Sequence, residues 1–107
     1  MESIMIDELI NIIPSSNVID IRDKYKYNMG CIPGSRNIPY NFLVMNPGNY
    51  LDKDKIYYLY CDYGNTSKRC TSILSDLGYD VVNIDGGYNA YCLFIHHKWF
   101  DNVSIFC

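Results

Sequence analysis

Hydrophobic positions along this chain follow two rhythms. Residues 3–13, SIMIDELINII, place Met5, Leu9, Ile12 and Ile13 at the spacing of one helix face, with Ser3 as a start cap and Pro14 as a stop. Residues 17–21, NVIDI, are short and β-branched and predict a buried strand. The stretch 22–40 holds two glycines and two prolines, has no sustained period, and reads as a loop; 41–46 allows one helical turn before the Pro47-Gly48 break. Residues 56–60, IYYLY, are all apolar or aromatic, which predicts a strand covered on both faces. From Ser67 the rhythm changes. Cys70, Ile73, Leu74 and Leu77 mark one face of an amphipathic helix, which Gly78 ends at its C′ position. Residues 81–84, VVNI, form another strand, Asp85-Gly86-Gly87 a turn, and 88–95 a helix. Strands alternating with helices predict an α/β domain with a mainly parallel sheet.

Composition narrows the function. A chain of 107 residues is one domain's length, so residues 1–107 are expected to form a single unit. A monomer is expected, although nothing in the length requires it. Nearly half the residues are apolar, enough for a core without staples. The net charge of -3 supplies no footprint for nucleic acid or an anionic membrane. No apolar run is long enough to span a bilayer. Met1 to Pro14 is greasy but carries Glu2, Asp7 and Glu8, which speaks against a secretory signal. Five cysteines, at 31, 61, 70, 92 and 107, form no C-x-x-C pair. They predict free thiols in a reducing cytoplasm, with no disulfide framework and no structural zinc. No cofactor is expected. Most are expected to be small core hydrophobes. His96 and His97 are adjacent and point about 100° apart on a helix, so they make no metal-binding face.

One junction carries chemistry. In open α/β sheets ligands gather where strand C-termini meet helix N-termini. Strand 56–60 runs directly into Cys61, then into the short polar tract Asp62-Tyr63-Gly64-Asn65-Thr66, then into the helix from Ser67. So tight a loop can aim its backbone N–H groups at the cysteine sulfur, and the helix start adds positive potential. That arrangement favours a nucleophilic thiolate and can hold an anion or an added sulfur. The same pattern also fits a buried cysteine at a strand end before an ordinary turn.

Further motifs bear on this choice. Asp20-Ile21-Arg22-Asp23, followed by Gly30-Cys31-Ile32-Pro33-Gly34-Ser35-Arg36-Asn37-Ile38-Pro39, resembles the signature of the rhodanese homology domain. In that family a strand ends in Asp-x-Arg and a Gly-His-Ile-Pro-Gly-Ala-x-Asn-Ile-Pro segment follows. Cys61 to Ser67 resembles its active-site loop, C-x-x-G-x-R-S. Leu77-Gly78-Tyr79-Asp80-Val81 and Gly86-Gly87-Tyr88-Asn89-Ala90-Tyr91 resemble its L-G-Y-x-V and G-G-x-x-A-W. The motifs occur in order from about residue 4 to 95. The resemblance implies a parallel five-stranded sheet flanked by helices on both faces. It also implies sulfurtransferase chemistry, with Cys61 as the nucleophile that becomes a persulfide and Asp62, Tyr63, Gly64, Asn65, Thr66 and Ser67 as the substrate-binding loop.

Three departures from the pattern matter. Thr66 stands where many relatives have Arg, so an anionic donor loses a forked, charged partner and weaker use of thiosulfate is expected. Lys68 and Arg69 either compensate or form a solvated helix face. Cys31 replaces His and is expected to be structural. Tyr91 replaces Trp as core packing. Asp20 and Arg22 are expected to tie loops together rather than catalyse. Tyr63 is expected at the pocket mouth and Cys70 in the core.

The expected activity is transfer of a sulfane sulfur from a thiosulfate-like or persulfide donor to a thiol or to cyanide. The acceptor is a small molecule or a thiol protein such as thioredoxin. A regulatory binding module is the alternative. A cysteine phosphatase fits poorly, because its C-x5-R loop would need arginine where Ser67 stands.

Overall fold

The computed structural model describes residues 2–12 and 16–99; Ile13, Pro14 and Cys107 lie outside these. Five strands form one sheet: β1 (Glu2–Ile4), β2 (Asn17–Asp20), β3 (Arg36–Asn37), β4 (Ile56–Tyr60) and β5 (Asp80–Ile84). Their spatial order is β1-β5-β4-β2-β3, and every pairing is parallel. The apolar runs of the sequence thus occupy the centre, with Leu59 of β4 opposite Ile19 of β2 and Asn83 of β5.

Side chains alternate across this sheet because successive strand residues face opposite sides. Tyr57, Leu59, Ile19 and Val81 pack on one face with Cys70 and Leu74 of helix α4 (Asn65–Asp76) and Leu43 of α3 (Tyr40–Met45). Tyr60, Val18 and Ile84 pack on the other with Ile6 and Leu9 of α1 (Ile6–Leu9) and Tyr91 of α5 (Gly87–Trp99). Helices therefore cover both faces. Tyr91 takes up the expected aromatic packing, its ring stacked on Tyr88 at 6.0 Å. In β4 two residues depart from the expected coverage: Ile56 is exposed at the strand's start and Tyr58 is half-buried.

Four elements differ from the sequence expectation, among them β3, which lies within the stretch 22–40 read as a loop. The helix expected over 3–13 is instead the edge strand β1 followed by the short α1. Ser3 pairs with Asn83 rather than capping, and Ile6 takes the buried place expected of Met5. Hydrogen bonding to β5 outweighs local helix propensity over so short a segment. Within the stretch read as a loop, Lys24–Met29 form α2, which buries no residue and so leaves no apolar stripe in the sequence. In α4 the buried face is Ser67, Cys70, Thr71 and Leu74, while Leu77 is 50% exposed. The face is rotated because Ser67 turns inward, where its carbonyl accepts the Thr71 hydroxyl at 2.8 Å.

The end of α4 is as expected. Gly78 adopts a left-handed φ of 95°. Its N–H reaches the Ser75 carbonyl at 3.0 Å and the Tyr79 N–H reaches Leu74 at 3.1 Å, the paired bonds of a Schellman stop. A single 3-10 turn, Pro47–Asn49, links α3 toward β4.

Candidate active site

Cys61 follows the last residue of β4 and is 7% exposed. The chain turns sharply through Gly64, whose φ of 103° lets α4 start at Asn65, two residues before the sequence expectation. The turn aims donors at the sulfur. The Gly64 N–H lies 3.2 Å and the Ser67 N–H 3.3 Å from Cys61 Sγ. The thiol in turn donates to Ser67 Oγ at 3.4 Å. Amides at a helix start support negative charge placed on that sulfur. Such a set of donors suits an anion rather than a metal cation.

A buried polar chain stands behind Ser67. Its hydroxyl donates to Asn83 Oδ1 at 2.6 Å, and Asn83 Nδ2 donates to Asp85 Oδ1 at 3.1 Å. Sequence reasoning placed Asn83 in a strand without a role. The available signal was an amide side chain in the middle of a central parallel strand, where apolar residues are the rule.

The loop is also held from α5. The Tyr88 N–H donates to the Cys61 carbonyl at 2.8 Å and the Asn89 N–H to the Asp62 carbonyl at 2.9 Å. This approach requires Gly87: a Cβ there would sit 2.4 Å from the Cys61 oxygen. The Gly86-Gly87 turn therefore belongs to the site.

Arg22 closes the third side. Its Nε and Nη2 grip the fully buried Asp20, at 3.0 Å to Oδ1 and 2.6 Å to Oδ2. Nη2 also donates to the Gly30 carbonyl at 2.7 Å, and the guanidinium lies 4.2 Å from the Tyr88 ring centre. Burial works to lower the guanidinium's pKa, but the hydrogen bonds and charge of Asp20 prevail and raise it. Asp20 and Arg22 thus tie β2, α2 and α5 together, as the sequence suggested. The Ile32–Ser35 segment is anchored by Tyr60, whose hydroxyl accepts from the Ile32 N–H and meets Ser35 Oγ, both at 3.0 Å. Cys31 sits half-buried beside Tyr27.

A cavity of about 210 Å³ opens against the sulfur. Cys61, Asp62 and Thr66 line it, joined by Arg22, Lys26 and Tyr40. Gly64 and Ser67 hold the sulfur from beneath. Tyr63 is exposed and lines a neighbouring depression with Tyr88 and Cys92, while Asn65 is exposed on the first turn of α4. Lys68 and Arg69 are exposed on α4 and are not among the residues lining the cavity, so they do not take the place of the missing loop arginine there. Lys26 Nζ lies 2.5 Å from Asp62 Oδ2, and that hydrogen bond and charge raise the lysine's pKa. Cys70 lies in the core below. Burial, and then negative charge on Cys61, push its thiol up to about 12.

The family model described as "Rhodanese-like domain" matches residues 5–93. A rhodanese-like domain protein from Staphylococcus aureus superposes with a TM-score of 0.78 at 33% identity, covering 85% of this chain and 91% of that one. A reduced Bacillus anthracis protein described as CoADR-RHD gives a TM-score of 0.82 at 26% identity, over 92% of this chain and 18% of that one. An adenylyltransferase and sulfurtransferase, UBA4, of Meyerozyma guilliermondii is 29% identical over 95 residues, which are 81% of this chain and 20% of that protein. The chain thus spans about a fifth of the curated relatives it matches. With a family model over residues 5–93 and the cysteine loop at the end of β4, the chain belongs to the rhodanese-like domain family.

Proposed function

We propose that this domain is a sulfurtransferase in which Cys61 carries the sulfur. The observation that supports it most is the pair of backbone N–H groups, from Gly64 and Ser67, aimed at Cys61 Sγ. Amides so placed favour the charged nucleophile and then the charged terminal sulfur of a persulfide. In the first half-reaction the Cys61 thiolate bonds to the outer sulfur of the donor. The donor's S–S bond breaks, and sulfite or a thiolate leaves with the electron pair. In the second, cyanide or an acceptor thiolate attacks that outer sulfur, and Cys61 departs as thiolate. The acceptor is a small thiol or a thiol protein such as thioredoxin, in a reducing compartment.

Thr66 lines the cavity with a hydroxyl where a loop arginine would offer two charged donors. Thiosulfate is therefore a weak donor, and Thr66→Arg lowers its KM. The test is thiocyanate formation from thiosulfate, or from a small persulfide, with cyanide as acceptor. Ping-pong initial rates that vanish in Cys61→Ser support transfer. A folded protein that forms no thiocyanate with either donor is instead a binding module, and hydrolysis of an aryl phosphate would point to a phosphatase.

A further inference from the structure

The cations beside Cys61 are already engaged, and one carboxylate engages both of them. Arg22 is spent on Asp20 and the Gly30 carbonyl, and its Nη1 lies 3.5 Å from Asp62 Oδ1. Lys26 lies 2.5 Å from the other oxygen, Asp62 Oδ2. Around the cavity and directly behind it, two positive residues, Arg22 and Lys26, face three negative ones, Asp20, Asp23 and Asp62. Thr66 adds no charge. The Lys26–Asp62 pair is reachable by solvent, with side chains 46% and 34% exposed, so an incoming anion can compete for the lysine. Freeing the lysine does not remove the carboxylate, which stays tethered one residue from the sulfur.

We infer that Asp62 is a specificity-determining residue that sets the charge of the donor. It disfavours dianions such as thiosulfate and favours a persulfide whose carrier bears a positive group beside the sulfur. This rests on the sulfurtransferase reading above. Transfer from such a donor balances simply. The Cys61 thiolate bonds to the terminal sulfur, the donor S–S bond breaks, and the carrier leaves as a thiolate with the electron pair. The carrier's cation meets the Asp62 carboxylate while this happens.

Two methanethiosulfonates with the same reactive group test this without depending on sulfur transfer. One carries an anionic sulfonatoethyl arm and the other a cationic trimethylammonioethyl arm. The rate at Cys61 is read from peptide masses, so the other cysteines do not confuse it. Relative to the rates of both reagents with a small free thiol, the wild-type protein favours the cationic reagent. Asp62→Asn moves the ratio of the two rates toward the anionic reagent by about threefold to tenfold, the scale of one charge changed within a Debye length. Lys26→Gln moves it the opposite way. A ratio unchanged in Asp62→Asn overturns the inference, whatever the donor assays show. In those assays Asp62→Asn lowers KM for thiosulfate and does not improve aminoethyl persulfide; equal changes for both donors also overturn it. If the reagent ratio shifts but neither donor loads Cys61, the charge preference stands and the transferase reading falls.

Discussion

Ser67 Oγ lies 2.6 Å from Asn83 Oδ1, with both side chains sealed from solvent. The hydroxyl has one hydrogen to donate and directs it to Asn83 Oδ1, so the oxygen turns a lone pair toward Cys61 Sγ. The alternative acceptor, the Gly64 carbonyl, is farther away at 3.3 Å. Asn83→Ala leaves a buried hydroxyl without its main acceptor and frees Asp85. The loss of stability should be about 1–3 kcal/mol by urea denaturation. A cycle with Ser67→Ala should show coupling of at least about 0.5 kcal/mol, because the two act as one unit. Additive losses would mean that the contact contributes nothing of its own.

Gly87→Ala tests the support from α5. The position has a φ of +59°, and an added Cβ would sit 2.4 Å from the Cys61 oxygen and 2.9 Å from the Asp62 carbonyl carbon. Left-handed strain alone costs about 1–2 kcal/mol, and the backbone contact cannot be relieved by a side-chain rotation. The variant should lose about 2 kcal/mol or more, and the cysteine loop should move. Melting and the alkylation rate of Cys61 report the two effects separately.

Arg22→Met leaves Asp20 as a fully buried carboxylate without its partner. A loss of about 3–5 kcal/mol is expected. Arg22→Lys keeps a charge but not the fork that reaches Asp20 and Gly30 together, so it should fall between wild type and Met. Equal stability of the Met variant would remove Arg22 from the framework of the site.

The local parts of this architecture were legible in the sequence. IYYLY is a contiguous apolar run, so β4 could be bounded correctly. Gly78 ends α4 by a conformation that glycine favours. Cys61 stood out because strand, short loop and helix are contiguous around it. The parts that remained hidden depend on distant partners. β1 exists because it pairs with β5 across the chain. α2 buries nothing and leaves no period to read. Asn83 and Gly87 matter only because the fold carries β5 and α5 up against the cysteine loop.

Cys70 makes stability depend on alkaline pH. Its thiol is pushed up to about 12 from an ordinary 9.0, by burial first and by charge on Cys61 second. Between those values the folded state keeps a proton that the unfolded chain has released. The stabilisation is therefore complete below pH 9.0 and is lost as pH rises toward about 12. Tyr60, also raised by burial and then by the charge of Asp20, steepens the loss above its ordinary 10.0. The urea midpoint should fall from about pH 9 upward, and Cys70→Val should flatten the first part of that fall. An unchanged slope in the variant would contradict the assignment.

Intact mass after exposure to a sulfane donor shows whether Cys61 carries sulfur. Incubation with a small persulfide or with thiosulfate, followed by removal of the donor, should leave the mass of one added sulfur atom. Peptide mapping should place it on Cys61, cyanide should discharge it, and Cys61→Ser should never acquire it. A folded protein whose Cys61 gains no sulfur from either donor, or that gains sulfur equally at Cys31 or Cys92, would rule out Cys61 as the dedicated sulfur carrier.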